Sequence, residues 1–359
     1  MIKLNQVNAQ LTLDQWRNIG SEGKNSEVWS ARDVQLNQVL ILKKITKKSL
    51  AKQSVTDYFA EAKILNESKH PHIMPIHYSA EDKEYVYITM PYYQRGSLNT
   101  FIQHRYLTAR EIIKYSLDFL SGLLFIHIKG LLHLDIKPTN IIIDDTDRAI
   151  ITDFGLSKFL DEHGFARQSM QYITHRSPEA YNTTDRTVLD DIYQAGLTIY
   201  RMCNGNDPFK EQYNALKLKH HQNGEKLKAS IQKGEFPDRN YYLPHIPEKL
   251  KRIVNKMMNV DPDKRYQNIL SVINDLSKIE NMLDWSYYVD ETRKEHTWTL
   301  DTERAKLSVK ATFSKGRYLT SGEKLAKISG NKQNQRRFHG SHSSKSEAFK
   351  FLKSKLNEH

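Results

Sequence analysis

Eight consecutive residues, His133-Leu134-Asp135-Ile136-Lys137-Pro138-Thr139-Asn140, hold the densest set of chemically useful side chains in the chain. An acid two places after a histidine, a lysine two places on and an asparagine three beyond can aim a base, a cation and a metal ligand into one cleft. Asp153-Phe154-Gly155 then adds a second carboxylate on a turn. Together these residue types point to phosphoryl transfer from a metal-bound nucleotide, a reaction governed by positioning and charge neutralisation.

Short apolar runs, Leu131-Leu132 and Ile141-Ile142-Ile143, flank the eight residues, so a polar loop is carried between packed segments. Upstream, Thr108 and Glu111 form a capping-box pattern. It opens a long helix with Ile112, Leu117, Leu120, Leu124 and Ile126 at apolar positions, running to about Lys129 with Gly130 as its C-terminal cap. Nearer the N-terminus, residues 12–19 and 27–33 read as strands. The small polar turn 20–26 between them is either an ordinary hairpin or a loop that lays backbone N–H groups over phosphates. A third strand covers 38–45 and includes Lys43 and Lys44. Residues 54–67 have helical spacing, with Val55, Phe59 and Ala62 on one face. A β-rich run, 84–91, is stopped by Pro91, and 92–98 reads as a linker. Helical patterns follow at 191–204, 248–258 and 269–280, whereas 156–179 shows no clear period. The pattern predicts a small, mainly β N-terminal lobe and a larger helical lobe.

The length, 359 residues, accommodates such a pair with room for a small appendage, and 38% hydrophobic residues suffice for a sizeable core. The single cysteine, Cys203, excludes an internal disulfide and a cysteine-based zinc site, and its helix-end setting reads as a buried inert thiol. No stretch is long and apolar enough to cross a membrane and residues 1–10 carry no signal-peptide pattern, so a cytoplasmic protein is expected. The formal charge of +12 is uneven: from Trp285 onward, 16 Lys and Arg face 8 Asp and Glu. The basic excess belongs to the tail, which predicts a partner of its own.

Taken in order, Lys43, Glu61, Asp135, Asn140, Asp153, Glu179, Asp191 and Arg265 resemble the motif set of the eukaryotic-type protein kinase superfamily over roughly Leu11 to Leu283. The resemblance implies an α+β, two-lobed kinase-like fold: an N-lobe over 1–93, a C-lobe over 94–283, and a small basic α/β module over 284–359. It implies that Lys43 holds the α- and β-phosphates of ATP and that Glu61 pairs with it, since a flexible ammonium needs a carboxylate to fix its place. Met90, Pro91 and Tyr93 match the adenine hinge, with Tyr93 N–H as donor, while Val28 and Ile41 match the roof over the base. Asp135 matches the base for the substrate hydroxyl and Lys137 the cation on the transferring group. Asn140 and Asp153 match the ligands of Mg2+, whose preference is for hard oxygens. Glu179 and Arg265 are implied to form a buried ion pair, and Asp191 to anchor the catalytic loop from below. His133 and Phe154 are implied to pack with Leu65 in a hydrophobic column. Lys137-Pro138 is closer to Ser/Thr than to Tyr kinases, so protein hydroxyls of serine and threonine are the expected acceptors.

Four features depart from the family pattern. The glycine loop offers only Gly20, Gly23 and Ser26, with the first two spaced one residue too far apart. Ile41 stands where alanine is usual. Leu134 replaces the arginine that normally pairs with a phosphorylated activation segment, predicting activity without that phosphorylation. Tyr172 and His175 alter the region near the acceptor.

In the tail, 298–300 and 307–313 read as short strands with a turn at Lys315-Gly316. Residues 345–356 read as an amphipathic helix with Ala348, Phe349, Leu352 and Leu356 inward. Residues 327–339, rich in basic and amide side chains, could grip phosphates and stack on bases; the alternatives are a solvated unit or one that docks on an acidic protein. His220 and His221 read as solvated, with no metal constellation around them. Three rival functions are a catalytically silent scaffold, a nucleic-acid-binding regulator and a small-molecule phosphotransferase. Intact Lys43, Asp135, Asn140 and Asp153 argue against the first.

Overall fold

The structure is a computed structural model describing residues 12–21, 26–50, 69–168, 173–281 and 283–356. The chain divides into two compact units, Met1–Arg95 and Gly96–His359. The first is a five-stranded antiparallel sheet of β1 (Leu13–Ser21), β2 (Ser26–Asp33), β3 (Gln38–Thr46), β4 (Tyr78–Glu81) and β5 (Tyr85–Pro91), in the order β1-β2-β3-β5-β4. Both faces of the central strand β3 are apolar. Leu40 and Leu42 pack with Ala31 on one side, and Ile45 packs with Val86 and Ile88 on the other. Successive side chains of a strand point to opposite faces, which explains why a strand covered on both sides reads as a nearly continuous apolar run. The helix expected over 54–67, with Glu61, lies outside the described residues, as does the turn around Gly23. Ser26, expected in that turn, opens β2 and pairs with Ile45.

The second unit is helical around the loop that carries Asp135. The 92–98 stretch is not all linker: Leu98 begins α1 (Leu98–His104), whose first turn is capped by Ser97 Oγ accepting from Thr100 N at 3.3 Å. The capping box of Thr108 and Glu111 forms as expected and starts α2 (Ala109–Ile128). A second capping box, Thr187 with Asp190, starts α3 (Val188–Asn204), three residues earlier than the apolar run suggests. Almost every residue of α3 is buried, including the polar Asp190, Asp191, Gln194, Thr198, Arg201 and Asn204, so the helix runs through the interior and has no wide solvated face. Gly196 lets it touch its neighbour: a Cβ there would lie 2.8 Å from Met257 Cβ. Two helices, α4 (Asn206–Lys219) and α5 (Gly224–Gln232), escape the sequence reading because their apolar stripes are short and interrupted by charge. His220, read as solvated, is half-buried with Nε2 2.7 Å from Ser230 Oγ. Two more, α6 (Glu248–Met257) and α7 (Ile269–Leu276), close the helical region, the latter ending short of the expected 280. Cys203 is buried, and that burial pushes its thiol pKa up, as an inert thiol requires. Two-residue and three-residue strands pair as β6 (Leu131–Leu132) with β9 (Lys158–Phe159), β7 (Ile141–Ile143) with β8 (Ala149–Ile151), and β10 (Ala166–Arg167) with β11 (Asp185–Arg186).

The C-terminal module is larger than two short strands. It is an antiparallel sheet of β12 (Trp285–Asp290), β13 (Glu295–Asp301), β14 (Ala305–Ser314), β15 (Arg317–Ala326) and β16 (Lys332–Asn334), with β17 (Gly340–His342) also on β15, followed by α8 (Lys345–Leu356). The Lys315-Gly316 turn therefore joins β14 to β15 rather than the pair first read. Alternation buries Trp285, Tyr287, His296, Trp298, Val309 and Ala311 on one face. Ala348, Leu352 and Leu356 of α8 are buried as expected, whereas Phe349 is half-buried. Tyr287 ties the module to the helical region, with its ring 4.6 Å from Tyr106 and 5.7 Å from His245. Ion pairs flank this contact: Arg110 Nη2 donates to Asp284 at 2.8 Å and Lys353 meets Glu248 at 2.8 Å. Among the described residues, no helix is long and apolar enough to cross a membrane. Tyr287→Ala removes the aromatic centre of this shared core and is expected to cost about 3–5 kcal/mol in urea unfolding, with module and helical region melting together. A separate early transition for the module, leaving the main one unmoved, would contradict a shared core.

Candidate active site

The loop after β6 is held by one side of α3. Asp191 accepts from the backbone N–H of His133 at 2.9 Å and of Leu134 at 2.7 Å, and His127 Nε2 stands 2.8 Å from the same carboxylate. Burial pushes the Asp191 carboxyl upward, but the His127 hydrogen bond and the neighbouring backbone donor outweigh it and hold the pKa below the usual value. One turn on, Gln194 accepts from Ile136 N at 2.9 Å and donates to Leu134 O at 3.0 Å. Thr198 Oγ1 completes the row on Ile136 O at 3.4 Å. Asp191 was expected from the sequence; Gln194 and Thr198 were not. Their signal is three polar residues at i, i+3 and i+7, the spacing of one helical face, in a mostly apolar run.

This grip sustains an unfavourable backbone. Leu134 and Asp153 have φ of 64° and 62°, a region that costs an L residue with a side chain about 1–2 kcal/mol. Such conformations persist where surrounding bonds over-determine them, and they cluster at functional sites. Leu134 is buried in an apolar cluster with Leu132 and Ala166, against Leu156, Leu160 and Val188.

Asp135 is 5% exposed. Its Oδ2 accepts from Lys137 Nζ at 2.7 Å and from Asn140 Nδ2 at 2.9 Å. Its Oδ1 is buried and makes no hydrogen bond among the described residues. Burial raises the Asp135 pKa, and Lys137 offsets part of that rise. Asn140 also donates to Asp135 O at 2.9 Å, which turns its own Oδ1 outward to Thr139 Oγ1 at 3.1 Å. Asp153 is half-buried, with Gly155 N donating to its Oδ1 at 3.3 Å, and its charge is felt at Asp135. His133 is wholly buried and burial lowers its pKa. It is neutral, with Nε2–H donating to Thr152 O at 3.1 Å and Nδ1 accepting from Asp135 N at 3.2 Å. Its ring lies 4.9 Å from Phe154, so that pair packs as expected; Leu65 lies outside the described residues.

No three His, Cys, Asp or Glu side chains among the described residues converge as a metal site. The oxygens of Asn140 and Asp153 are nevertheless a donor set that fits Mg2+, which takes one or two protein oxygens and completes its shell with water and phosphate. Glu179 and Arg265 form the expected pair, bidentate at 2.6 and 2.7 Å, with Arg265 also donating to Asn259 O and Leu189 O.

In the first unit, strand register places the other candidates. Val28, Lys43 and Ile88 form one cross-strand row, and Ser30, Ile41 and Met90 the next row on the same face. Gly20 pairs with Val28 beside a register shift in β1. Lys43 is buried. Pro91 pairs with Leu40 and so belongs to the opposite face, while Tyr93 follows the strand.

A β-rich unit with a buried strand lysine, followed by a helical unit with a clamped polar loop, defines a class of phosphotransferase folds. A family model of the protein kinase domain matches residues 13–276, and the chain belongs to the protein kinase family. Similar proteins include a probable serine/threonine-protein kinase, PknB, of Lactococcus lactis. It is 26% identical over 77% of this chain and 43% of its own length. The serine/threonine-protein kinase ULK3 of Xenopus laevis is 27% identical over 68% of this chain and 50% of its own. The CBL-interacting serine/threonine-protein kinase 20 of Arabidopsis thaliana is 24% identical over 77% and 58%. The chain spans about half the length of the curated relatives it matches.

Gln194→Leu keeps the shape of the side chain but leaves Ile136 N–H and Leu134 C=O buried without partners. The expected cost is about 1–3 kcal/mol for each group, read by urea unfolding. Unchanged stability would mean that the loop is held by other means.

Proposed function

We propose that the chain transfers the γ-phosphoryl group of ATP to serine or threonine hydroxyls of protein substrates, in a Mg2+-dependent reaction. The observation that carries this reading is Asp135: a buried carboxylate with Oδ2 engaged by Lys137 and Asn140 and Oδ1 unengaged among the described residues. Oδ1 takes the proton of the acceptor hydroxyl as the new O–P bond forms and the bond to ADP breaks. Lys137 stands beside that carboxylate and neutralises charge on the moving phosphoryl. Asn140 and Asp153 hold Mg2+, which when bound neutralises phosphate oxygens. Lys43, with Glu61, holds the α- and β-phosphates. Gly20, Gly23 and Ser26 border the phosphates; Val28, Ile41, Met90, Pro91 and Tyr93 surround adenine. The serine/threonine preference is supported by Lys137-Pro138 and by the names of the similar kinases. In this reading 1–93 and 94–283 are the two catalytic lobes, 284–359 is an accessory domain, and the protein works in the cytoplasm.

Incubation with labelled ATP, magnesium and generic protein substrates tests the assignment. Asp135→Ala is expected to lower transfer about 10²–10⁴-fold and Lys43→Ala about 10²–10³-fold. Transfer that survives Asp135→Ala would remove Asp135 as the base.

Activity without phosphorylation of the segment after Asp153 belongs to the same proposal. Where a phosphate-binding arginine would stand, Leu134 packs apolar side chains from 156, 160 and 166 onto the loop. Burial then orders the segment without added charge. Phosphatase-treated protein, and a variant with Ser169, Tyr172 and Thr174 replaced by Ala, Phe and Ala, are expected to keep kcat within about twofold, compared with the 10³-fold scale of lost electrostatic contacts. A collapse of kcat in either would overturn this.

A further inference from the structure

In the tail stretch marked by its basic composition, both lysines are ion-paired. Lys327 is paired with Asp301 at 2.6 Å and Lys332 with Glu323 at 3.2 Å. Phe338 is wholly buried and fills the space that a Cβ on Gly322 would need.

Another part of the module has the complementary character. A cavity of about 380 Å³ is lined by residues from the β12–β13 and β14–β15 hairpins and from the start of α8. Two lysines line it, Lys294 and Lys345, and neither has a carboxylate within ion-pair distance among the described residues. Each ammonium rests on an aromatic ring instead: Lys294 is 5.4 Å from the Phe313 centroid and Lys345 is 5.1 Å from that of Phe349. Phe313 and Tyr318, paired across β14 and β15 with centroids 5.1 Å apart, supply aromatic walls. His296 is 6% exposed, and burial lowers its pKa to about 4, so its ring is neutral. Its Nδ1 is 2.8 Å from the Tyr287 hydroxyl. With that hydroxyl donating, Nε2 carries the proton and has no partner among the described residues. Glu291 is the one carboxylate of the lining.

We propose that this cavity binds one nucleotide unit of a single-stranded nucleic acid, with the base against Phe313 and Tyr318 and the phosphate on Lys294, Lys345 and His296. Aromatic faces accept any base, and lysines beside them neutralise the backbone. Glu291 suits the exocyclic amino group of a base. The paired aromatic rings beside the lysines suit a planar base next to its phosphate, which favours nucleic acid over a phosphorylated serine or threonine peptide. The volume lies near the lower end for small-ligand sites. Lys315 and Arg317, in the turn next to Phe313 and Tyr318, extend the positive rim for a longer strand.

The test uses the full chain with excess Mg-ATP and a fluorescein-labelled RNA of mixed sequence, about twelve nucleotides long, within the site sizes of single-strand binders. Anisotropy titrations across a salt series are expected to show binding whose log–log slope falls by about 0.7–1 in each of Lys294→Ala and Lys345→Ala. Phe313→Ala is expected to weaken binding about tenfold at fixed salt with little change of slope. Lys332→Ala, at an ion-paired position, should stay within about twofold, far less than the tenfold of a lost stacking face. All four positions are exposed, so the variants should fold. The proposal is overturned by absence of binding at low salt or by displacement with Mg-ATP. Equal losses in Lys332→Ala, which would indicate diffuse charge alone, overturn it as well. So does preferential displacement by a phosphotyrosine peptide, which would give the cavity to a phosphorylated protein.

Discussion

The loop that carries Asp135 depends on one buried carboxylate. Asp191 takes two successive backbone N–H groups, and without them His133 and Leu134 would each leave a buried donor unpaired. Two donors on one acceptor fix the direction of the chain where Leu134 passes through positive φ. That turn sends His133 inward against Phe154 and sets the buried Asp135 carboxylate beside Lys137 and Asn140. The geometry of the candidate base is therefore a consequence of a helix beneath it.

The clamp is costly to build and hard to replace piecemeal. A buried charge is tolerated only when paired or well hydrogen-bonded, and Asp191 meets this condition through His127 and the loop N–H groups together. Gln194 and Thr198 extend the same logic with neutral groups, so α3 side chains take the N–H groups of 133, 134 and 136 and the carbonyls of 134 and 136, while Asp135 is held from within the loop by His133 and Asn140. Glu179 and Arg265 play the corresponding part lower in the unit, where the guanidinium spends its donors on a carboxylate and three carbonyls. These polar networks are fully connected, which is the condition under which they rigidify a core.

The C-terminal module is joined to this unit by aromatic packing rather than by a tether alone. Tyr287 lies between Tyr106 and His245 on one side and Trp298 and His296 on the other, so the core of the sheet continues into the helical region. Net charge does not locate the free cations of the module. Lys310, Lys327 and Lys332 are neutralised by acids of other strands, a pairing set by the folded sheet and invisible in composition.

Residue order alone carried the reactive set and much of the fold. Asp135, Lys137, Asn140 and Asp153 are close in the chain, and the apolar runs around them leave few alternatives to a loop on packed segments. The capping box at Thr108, the glycine at 130 and the helix over 345–356 were legible because their signals are local: a cap, a turn residue, a period. Tertiary structure decided what depends on distant partners. Gln194 is an ordinary helix residue until the backbone of residues 134 and 136 arrives beside it. Likewise Ser97 is a linker residue until Thr100 turns back to it, and Lys294 and Lys345 share a cavity although fifty residues separate them. The physical reason is the same in each case. Propensity and periodicity act over a few residues, whereas hydrogen-bond satisfaction, ion pairing and cavity formation are settled by which surfaces meet.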